Sequence, residues 1–365
     1  MPWKFSVENL DAFEFGARLC ASGGAGDTFA MSLLTRTLLE RSGGVTIIEA
    51  EVLRPGDVVI PAGLVGSVMA FAEKPGPVEC FLRAFRHVAA SFPGRRLLVS
   101  AYEMAGINAY APLLIGAALG IPIADLDGMG RAAPGLDLTT FALGGISMSP
   151  CVLVDSSLRL VRLEGMGPTD AEHSLRLLME VFGGWAAFAG YGMDGDQAYA
   201  HGIPGSLART LSLGRQFERS QAHPGSESEI IQRFCTSAEG VEYAGRGRVI
   251  DVRWEEPTPR LGPATHARGT ILIQMQGSSE GIFRIEAQSE FLLLIEDGAV
   301  RAAVPTGICL LDSHTGRALL TESIVPGYSV DVVLVEAPPQ WRTRAGRNML
   351  NPIMFGYRFP QVESQ

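Results

Sequence analysis

Lysine is almost absent: only Lys4 and Lys74 stand among 30 cationic residues, and an acidic excess leaves a net charge of -9. Nucleic acid and anionic membrane surfaces both require a broad cationic face, so neither is expected as a partner. A local basic pocket stays open. The five cysteines, Cys20, Cys80, Cys151, Cys235 and Cys309, include no C-x-x-C pair. That odd, scattered set reads as reduced core thiols in a cytoplasmic protein. The histidines at 87, 173, 201, 223, 266 and 314 form no short metal-ligand spacing, so sequence alone gives no zinc signature. No G-x-S-x-G elbow is present and no cysteine has an activating context, which disfavours covalent catalysis. The most apolar run, 109–124, is broken by Pro112, Gly116, Gly120 and Pro122 and is too short to span a bilayer. The first residues carry acids and no apolar stretch, so no secretory signal is expected.

What is present is a folding composition: 365 residues, 47% hydrophobic and 19% charged, enough for about two domains with sizeable cores. Glycine is frequent, at 43 residues against a usual ~7%. With no Gly-X-Y period, that points to tight turns and close backbone approaches.

Up to about residue 165, helical stripes alternate with short β-branched runs, the pattern of an α/β layer architecture. Helices are expected over 10–20, 30–41, 78–90 and 111–119, and strands over 45–50, 57–63, 96–102 and 121–127. From 169 to 235 the reading is mostly helical, with Thr169 and Glu172 fitting a capping box and a second helix opening near Ser206. From about 244 onward, strand-like runs separated by turns predict a β-rich part. The chain is therefore read as an α/β N-terminal domain over 1–165, followed by a helical segment and β-rich C-terminal domain over 166–365.

Open α/β sheets bind ligands beyond the carboxyl ends of their strands, which is where Glu103, Asp125 and Asp127 fall. Convergent carboxylates can hold a divalent metal, act as acid and base, or bind a cation; either aspartate could equally cap the turn 127–130. The Ser22–Asp27 segment joins two helices and lacks the Lys-Ser/Thr ending of a phosphate loop, so no nucleotide is expected. Gly23, Gly24 and Gly26 could still present backbone N–H groups to a ligand oxygen. His201, flanked by glycine, is the histidine best placed for a cleft.

Several motifs resemble the S-methyl-thiohydantoin desulfurase-like family in order along nearly the whole chain. They are the glycine loop with Asp27, the strand VVIPAGLVG leading to Glu73-Lys74, and the E-x-x-G-x-N of Glu103, Gly106 and Asn108. DLDGMGRAAPGLDLTTF (125–141) follows, then PGSLARTLSLG, AVPTGICLLDSHTG and NPIMFGY. The chain departs from the family pattern at Ala25 and Ala105, which replace glycines. It also has Ser289-Glu290-Phe291 for Asn-Glu-Asn, and Pro305-Thr306 for Pro-Asp.

The resemblance implies a two-domain hydrolase acting on a five-membered cyclic ureide, replacing ring sulfur at C2 by oxygen. Asp127 or Glu103 would be the base, and Arg131 or the glycine loop would stabilise developing charge. Gly23, Gly24, Gly26, Asp27, Glu73, Lys74, Asn108, Asp125 and His201 would bind substrate, with a divalent metal and a homo-oligomer both allowed. A non-catalytic ureide-binding subunit and a ring-opening amidohydrolase are the alternatives.

Overall fold

The computed structural model describes residues 2–255, 267–276 and 281–357; His266 lies outside them. Two sheets organise the chain. The first contains β1 (Trp3–Phe5), β2 (Val45–Glu49), β3 (Asp57–Gly66), β4 (Arg96–Ala101), β5 (Ile123–Asp127), β6 (Cys151–Val154), β7 (Leu160–Leu163) and β8 (Trp185–Ala189). Their order is β1-β2-β5-β4-β3-β8-β6-β7, and the short strands β9 (Met193–Asp194) and β10 (Ile203–Pro204) pair with β3 and β5. The inner strands β2, β5, β4 and β3 run parallel, so their carboxyl ends open on one edge.

Both faces of this sheet are covered, as a largely parallel sheet requires. Side chains alternate along β3: Val58, Ile60, Ala62 and Leu64 enter a core with the helices Leu10–Cys20, Phe29–Ser42, Glu79–Ala89 and Tyr110–Leu119. Val59 and Val65 face the opposite layer, which includes the helix Pro168–Phe182. The expected helices and strands of the first 165 residues are all found, within a few residues at their ends.

The second sheet is antiparallel: β11 (Val241–Glu255), β12 (Arg268–Met275), β13 (Ile282–Ala287), β14 (Phe291–Glu296), β15 (Ala299–Ala303), β16 (Gly307–Asp312) and β17 (Ser329–Val335). Its order is β15-β14-β13-β12-β11-β17-β16. Every strand-like run expected after residue 244 is present. The architecture is thus a mixed α/β part followed by a strand-rich part.

The stretch 169–235 departs from expectation twice. Trp185–Ala189, read as part of a helical region, is strand β8, inserted between β3 and β6. All five of its residues are buried, so no alternation marks it, and its three alanines offset the β-propensity of Trp185 and Phe188. The capping box also does not form. The helix starts with Pro168 after Gly167, and the Glu172 carboxylate instead accepts from Leu136 N at 3.2 Å and pairs with Arg176 Nε at 2.6 Å.

A further helix, Ser206–Gln221, crosses Leu10–Cys20 at close range. A Cβ on Gly214 would lie 1.6 Å from Ala12 O, and one on Gly16 would lie 1.9 Å from Thr210 O, so only glycine permits this crossing. Around it a third core joins Leu19, Cys20, Leu213, Phe217 and Phe234 to Cys309, Leu311 and Val333 of the second sheet. All five cysteines are buried and unpaired. No described helix is long and apolar enough to cross a membrane.

Candidate active site

The glycine loop lies where the two parts of the chain meet. Ser22, Gly23, Ala25 and Gly26 all have positive φ, which turns their carbonyls outward. Phe291 N donates to Ser22 O, Thr321 N to Gly23 O and Ile107 N to Ala25 O, each at 2.8 Å. Gly24 N is spent on Ala21 O at 2.8 Å. Its bonded groups therefore serve mainly as acceptors tying three chain segments together.

Beside this loop, at the carboxyl ends of β3 and β4, lies a cavity of about 60 Å³. A buried water needs about 10–15 Å³ on such a scale, so several waters or the polar edge of a small ring fit. Its polar wall consists of Tyr102, Glu103, Asn108, Arg176, Ser289 and Glu290, and its apolar wall includes Leu64, Val68, Pro134 and Leu136.

Glu103 and Glu290 are almost fully buried, at 4% and 3% exposure. Asn108 fixes the first: its Nδ2 donates to Glu103 Oε1 at 2.5 Å while its Oδ1 accepts from Leu64 N at 2.6 Å. Glu103 Oε2 also accepts from Ala133 N at 3.3 Å. Burial, opposed by the Asn108 bond and reinforced by Glu290, pushes the Glu103 pKa up to about 8. Glu290 Oε1 accepts from Ser289 Oγ at 2.9 Å, and its Oε2 is buried without a partner. Burial raises its pKa to about 7, with the Arg131 cation pulling the other way.

Two glycines make room for these groups. A Cβ on Gly24 would strike Glu290, and one on Gly63 would come within 2.8 Å of Asn108 Oδ1. Arg176 supplies the cavity's cation; its Nη2 donates to Pro134 O at 2.8 Å, and its Nε pairs with Glu172.

The two aspartates do not share this cavity. Asp125 Oδ1 accepts from Leu207 N at 2.8 Å and from Ala208 N at 3.4 Å, capping the helix Ser206–Gln221. Asp127 is fully buried; its Oδ2 accepts from Met104 N at 2.7 Å and Gly130 N at 2.9 Å, which fastens the end of β4 to the turn after β5. Burial raises both pKa values to about 6 against their backbone hydrogen bonds. Backbone N–H groups thus occupy one oxygen of each aspartate, while Asp127 Oδ1 is buried without a partner.

Arg131 is also turned inward. Its Nε donates to Ala132 O at 2.9 Å, Nη1 to Thr306 O at 2.6 Å and Nη2 to Phe291 O at 3.2 Å. It holds the chain on either side of β14 and β15 and places a positive charge behind Glu290. The Thr306 departure touches none of this, because only its carbonyl is used.

Four expected binders lie elsewhere. Asp27 pairs with Arg18 at 2.8 Å and caps Phe29 N at the surface. Glu73 and Lys74 are exposed around the end of the short helix Val68–Glu73. His201 packs on Gly144, whose Cβ would lie 2.2 Å from its Nδ1. Of the expected residues, the structure brings Glu103 and Asn108 to the cavity; of the glycine loop only Ala25 lines it, and Gly23, Gly24 and Gly26 do not. Glu290, Arg176 and Tyr102 were not singled out from sequence; the usable signal for Glu290 was the acid retained in Ser289-Glu290-Phe291. Among the described residues, no three His, Cys, Asp or Glu side chains group as metal ligands.

Residues 8–164 match the S-Me-THD-like N-terminal domain, and residues 167–363 match the S-Me-THD-like C-terminal domain. The chain belongs to the S-Me-THD-like family. In this S-Me-THD-like protein the match covers both halves, so the motifs seen in sequence and the two-part fold agree. A crystal structure of a protein from Chromobacterium violaceum has the same fold, with a TM-score of 0.75 over 99% of each chain at 20% identity. No curated protein matches the chain.

Proposed function

We propose that the protein hydrolyses a thiohydantoin-like cyclic ureide, replacing the sulfur on ring C2 by oxygen. The observation that carries this reading is the pairing of Glu290 and Glu103 in one small cavity, with pKa values pushed to about 7 and about 8. Near neutral pH such a pair holds one proton between two sites, which suits acid–base chemistry. The lower value makes Glu290 the base; the higher makes Glu103 the acid.

For a 2-methylthio ring, Glu290 takes a proton from water as the water oxygen bonds to C2. The C2=N electron pair moves onto nitrogen, which then receives that proton from Glu290. Glu290 next removes the remaining proton of the new hydroxyl; C2=O forms, C2–S breaks, and sulfur leaves with the Glu103 proton as methanethiol. Proton return from Glu290 to Glu103 resets the site. In a 2-thioxo ring the C2=S electron pair moves onto sulfur, which takes the proton from Glu290 in place of nitrogen; C2–S then breaks as C2=O forms, and sulfur leaves with the Glu103 proton as hydrogen sulfide. Arg176, which lines the same cavity, would stabilise charge developing on the ring heteroatoms, and Arg131 would position Glu290.

The departures from the family pattern leave this machinery in place: Ser289 still donates to Glu290, and Thr306 serves through its carbonyl. The test is incubation of the purified protein with 2-methylthio- and 2-thiohydantoins while sulfur release and ring opening are followed. Methanethiol or sulfide at the rate of C2 oxygenation is the expected result. Ring opening with sulfur retained would replace this reading by an amidohydrolase, and saturable binding without product would replace it by an accessory subunit.

A further inference from the structure

The closing motif NPIMFGY has no part in the acid–base steps above, and none of the residues 351–357 lines the acid cavity. It nevertheless ends against the turn that carries Glu290. Its backbone is fixed from within: Asn351 Oδ1 accepts from Ile353 N at 2.9 Å, capping the short helical turn Pro352–Phe355, and Tyr357 N donates back to Pro352 O at 3.1 Å. Gly356 follows in the left-handed region, with φ of 84°, and a Cβ there would lie 2.2 Å from Arg268 Nη2. Only glycine meets both demands. The Phe355 carbonyl accepts from Arg268 Nη2 at 3.1 Å and from Gln288 Nε2 at 2.8 Å. The Tyr357 hydroxyl donates to Ala287 O at 3.3 Å, and burial raises its pKa to about 12, so it stays a donor at neutral pH.

Glu290 needs holding from this side. The pairing of β13 with β14 shifts by one residue between Glu286 and Ala287, so the ladder is irregular where the turn begins. Beyond the turn, Phe291 is held by Ser22 O at its N–H and by Arg131 at its carbonyl. Before it, Ala287 and Gln288 are tied to Tyr357 and Phe355. Gln288 N also donates to Glu290 O at 3.0 Å, which closes the turn and carries any displacement of Gln288 to the residue bearing the carboxyl.

We infer that the C-terminal turn is a positioning device for the proposed base: Gln288 and Tyr357, through the segment 287–290, hold Glu290 in the acid cavity. The inference rests on the reading of Glu290 as base given above.

The test is the titration of Glu290 in the full chain, read by ¹³C NMR of its carboxyl carbon with Glu290→Gln for assignment, alongside kcat and KM for sulfur release. Gln288→Met removes the amide donor at similar size. Water should then reach the carboxyl, and its midpoint should fall from about 7 by at least about half a pH unit. A fall in kcat of at least about tenfold with KM within about twofold should accompany it, because the loss is of placement rather than of substrate contacts. Tyr357→Phe should move midpoint and kcat in the same direction by less, and it decides by the same criteria should Gln288→Met not fold. Ile353→Ala, whose side chain is exposed on the same turn, should move neither. An unmoved midpoint in Gln288→Met and Tyr357→Phe, even with a lowered melting temperature, would overturn the inference, as would an unmoved kcat in both. A midpoint that moves in a protein whose wild type releases no sulfur would leave the positioning in place and remove the catalytic reading instead.

Discussion

Glu290 stands directly over Gly24: a Cβ at that glycine would lie 2.6 Å from Glu290 Cγ and 2.7 Å from its Oε1. The Gly24 backbone is not in the left-handed region, so the requirement there is space rather than conformation.

Gly24→Ala should therefore fold and yet displace the carboxyl proposed as base. A fall in kcat/KM of at least about tenfold, equivalent to roughly 1.4 kcal/mol of transition-state binding, is expected with a melting temperature within a few degrees of wild type. Sulfur-release kinetics alongside thermal unfolding check this.

The pair Glu103 and Glu290 also fixes a pH dependence. Both folded pKa values, about 8 and about 7, lie above the ordinary carboxyl value of 4.5, so between these limits the folded state binds more protons than the unfolded one. Their contribution to stability is full below about pH 4.5 and is lost as pH rises through 7 and then 8. Each group adds a downward slope of at most about 1.4 kcal/mol per pH unit. Urea unfolding from pH 5 to 9 should show this slope, and the Glu103→Gln/Glu290→Gln double variant should flatten it.

Turnover should follow the same two groups. Log kcat/KM should rise as the group near 7 loses its proton and fall as the group near 8 loses its own, giving a narrow optimum between them. Arg131→Met removes the cation that pulls the Glu290 pKa down, so the acid limb should move to higher pH. A profile with unmoved limbs in that variant would make Arg131 a fastening alone.

Asp125 offers a contrast. Since it caps the helix Ser206–Gln221, Asp125→Ala should cost about 1 kcal/mol of stability, within the usual range for a lost N-cap. Its kcat/KM should stay within about twofold of wild type, as determined by denaturant unfolding and sulfur release on the same preparation.

The fold was legible wherever a residue's neighbours in sequence decide its environment. The aliphatic, β-branched run along 57–63 marks a strand and the stripe of Leu10, Phe13 and Ala17 marks a helix face, and both elements formed as read. Trp185–Ala189 was not legible because it is short and three of its five residues are alanine, leaving neither a period nor a β-branched run to mark it. The site followed the same rule. Glu103 could be found because it ends a strand beside Asn108, but Glu290 comes from the turn between β13 and β14, and only tertiary packing brings it to Glu103. Asp127 was conspicuous in sequence for the reason that one of its oxygens is taken in the structure: a carboxylate next to turning backbone finds an N–H group close at hand.

The insertion of β8 between β3 and β6 bears on how this chain can be divided. The family boundary near residue 165 looks like a place to separate two modules for expression, yet the strand that joins β3 to β6 lies beyond it. A fragment ending there would expose the β3 edge and the facing edge of β6 to solvent, an invitation to intermolecular strand pairing. It would also lack Glu290, so neither truncation carries both carboxyls. Biosynthesis must therefore pass the midpoint before β8 can join β3 to β6, and fragment complementation is best attempted with a cut after Gln221 rather than at the apparent seam.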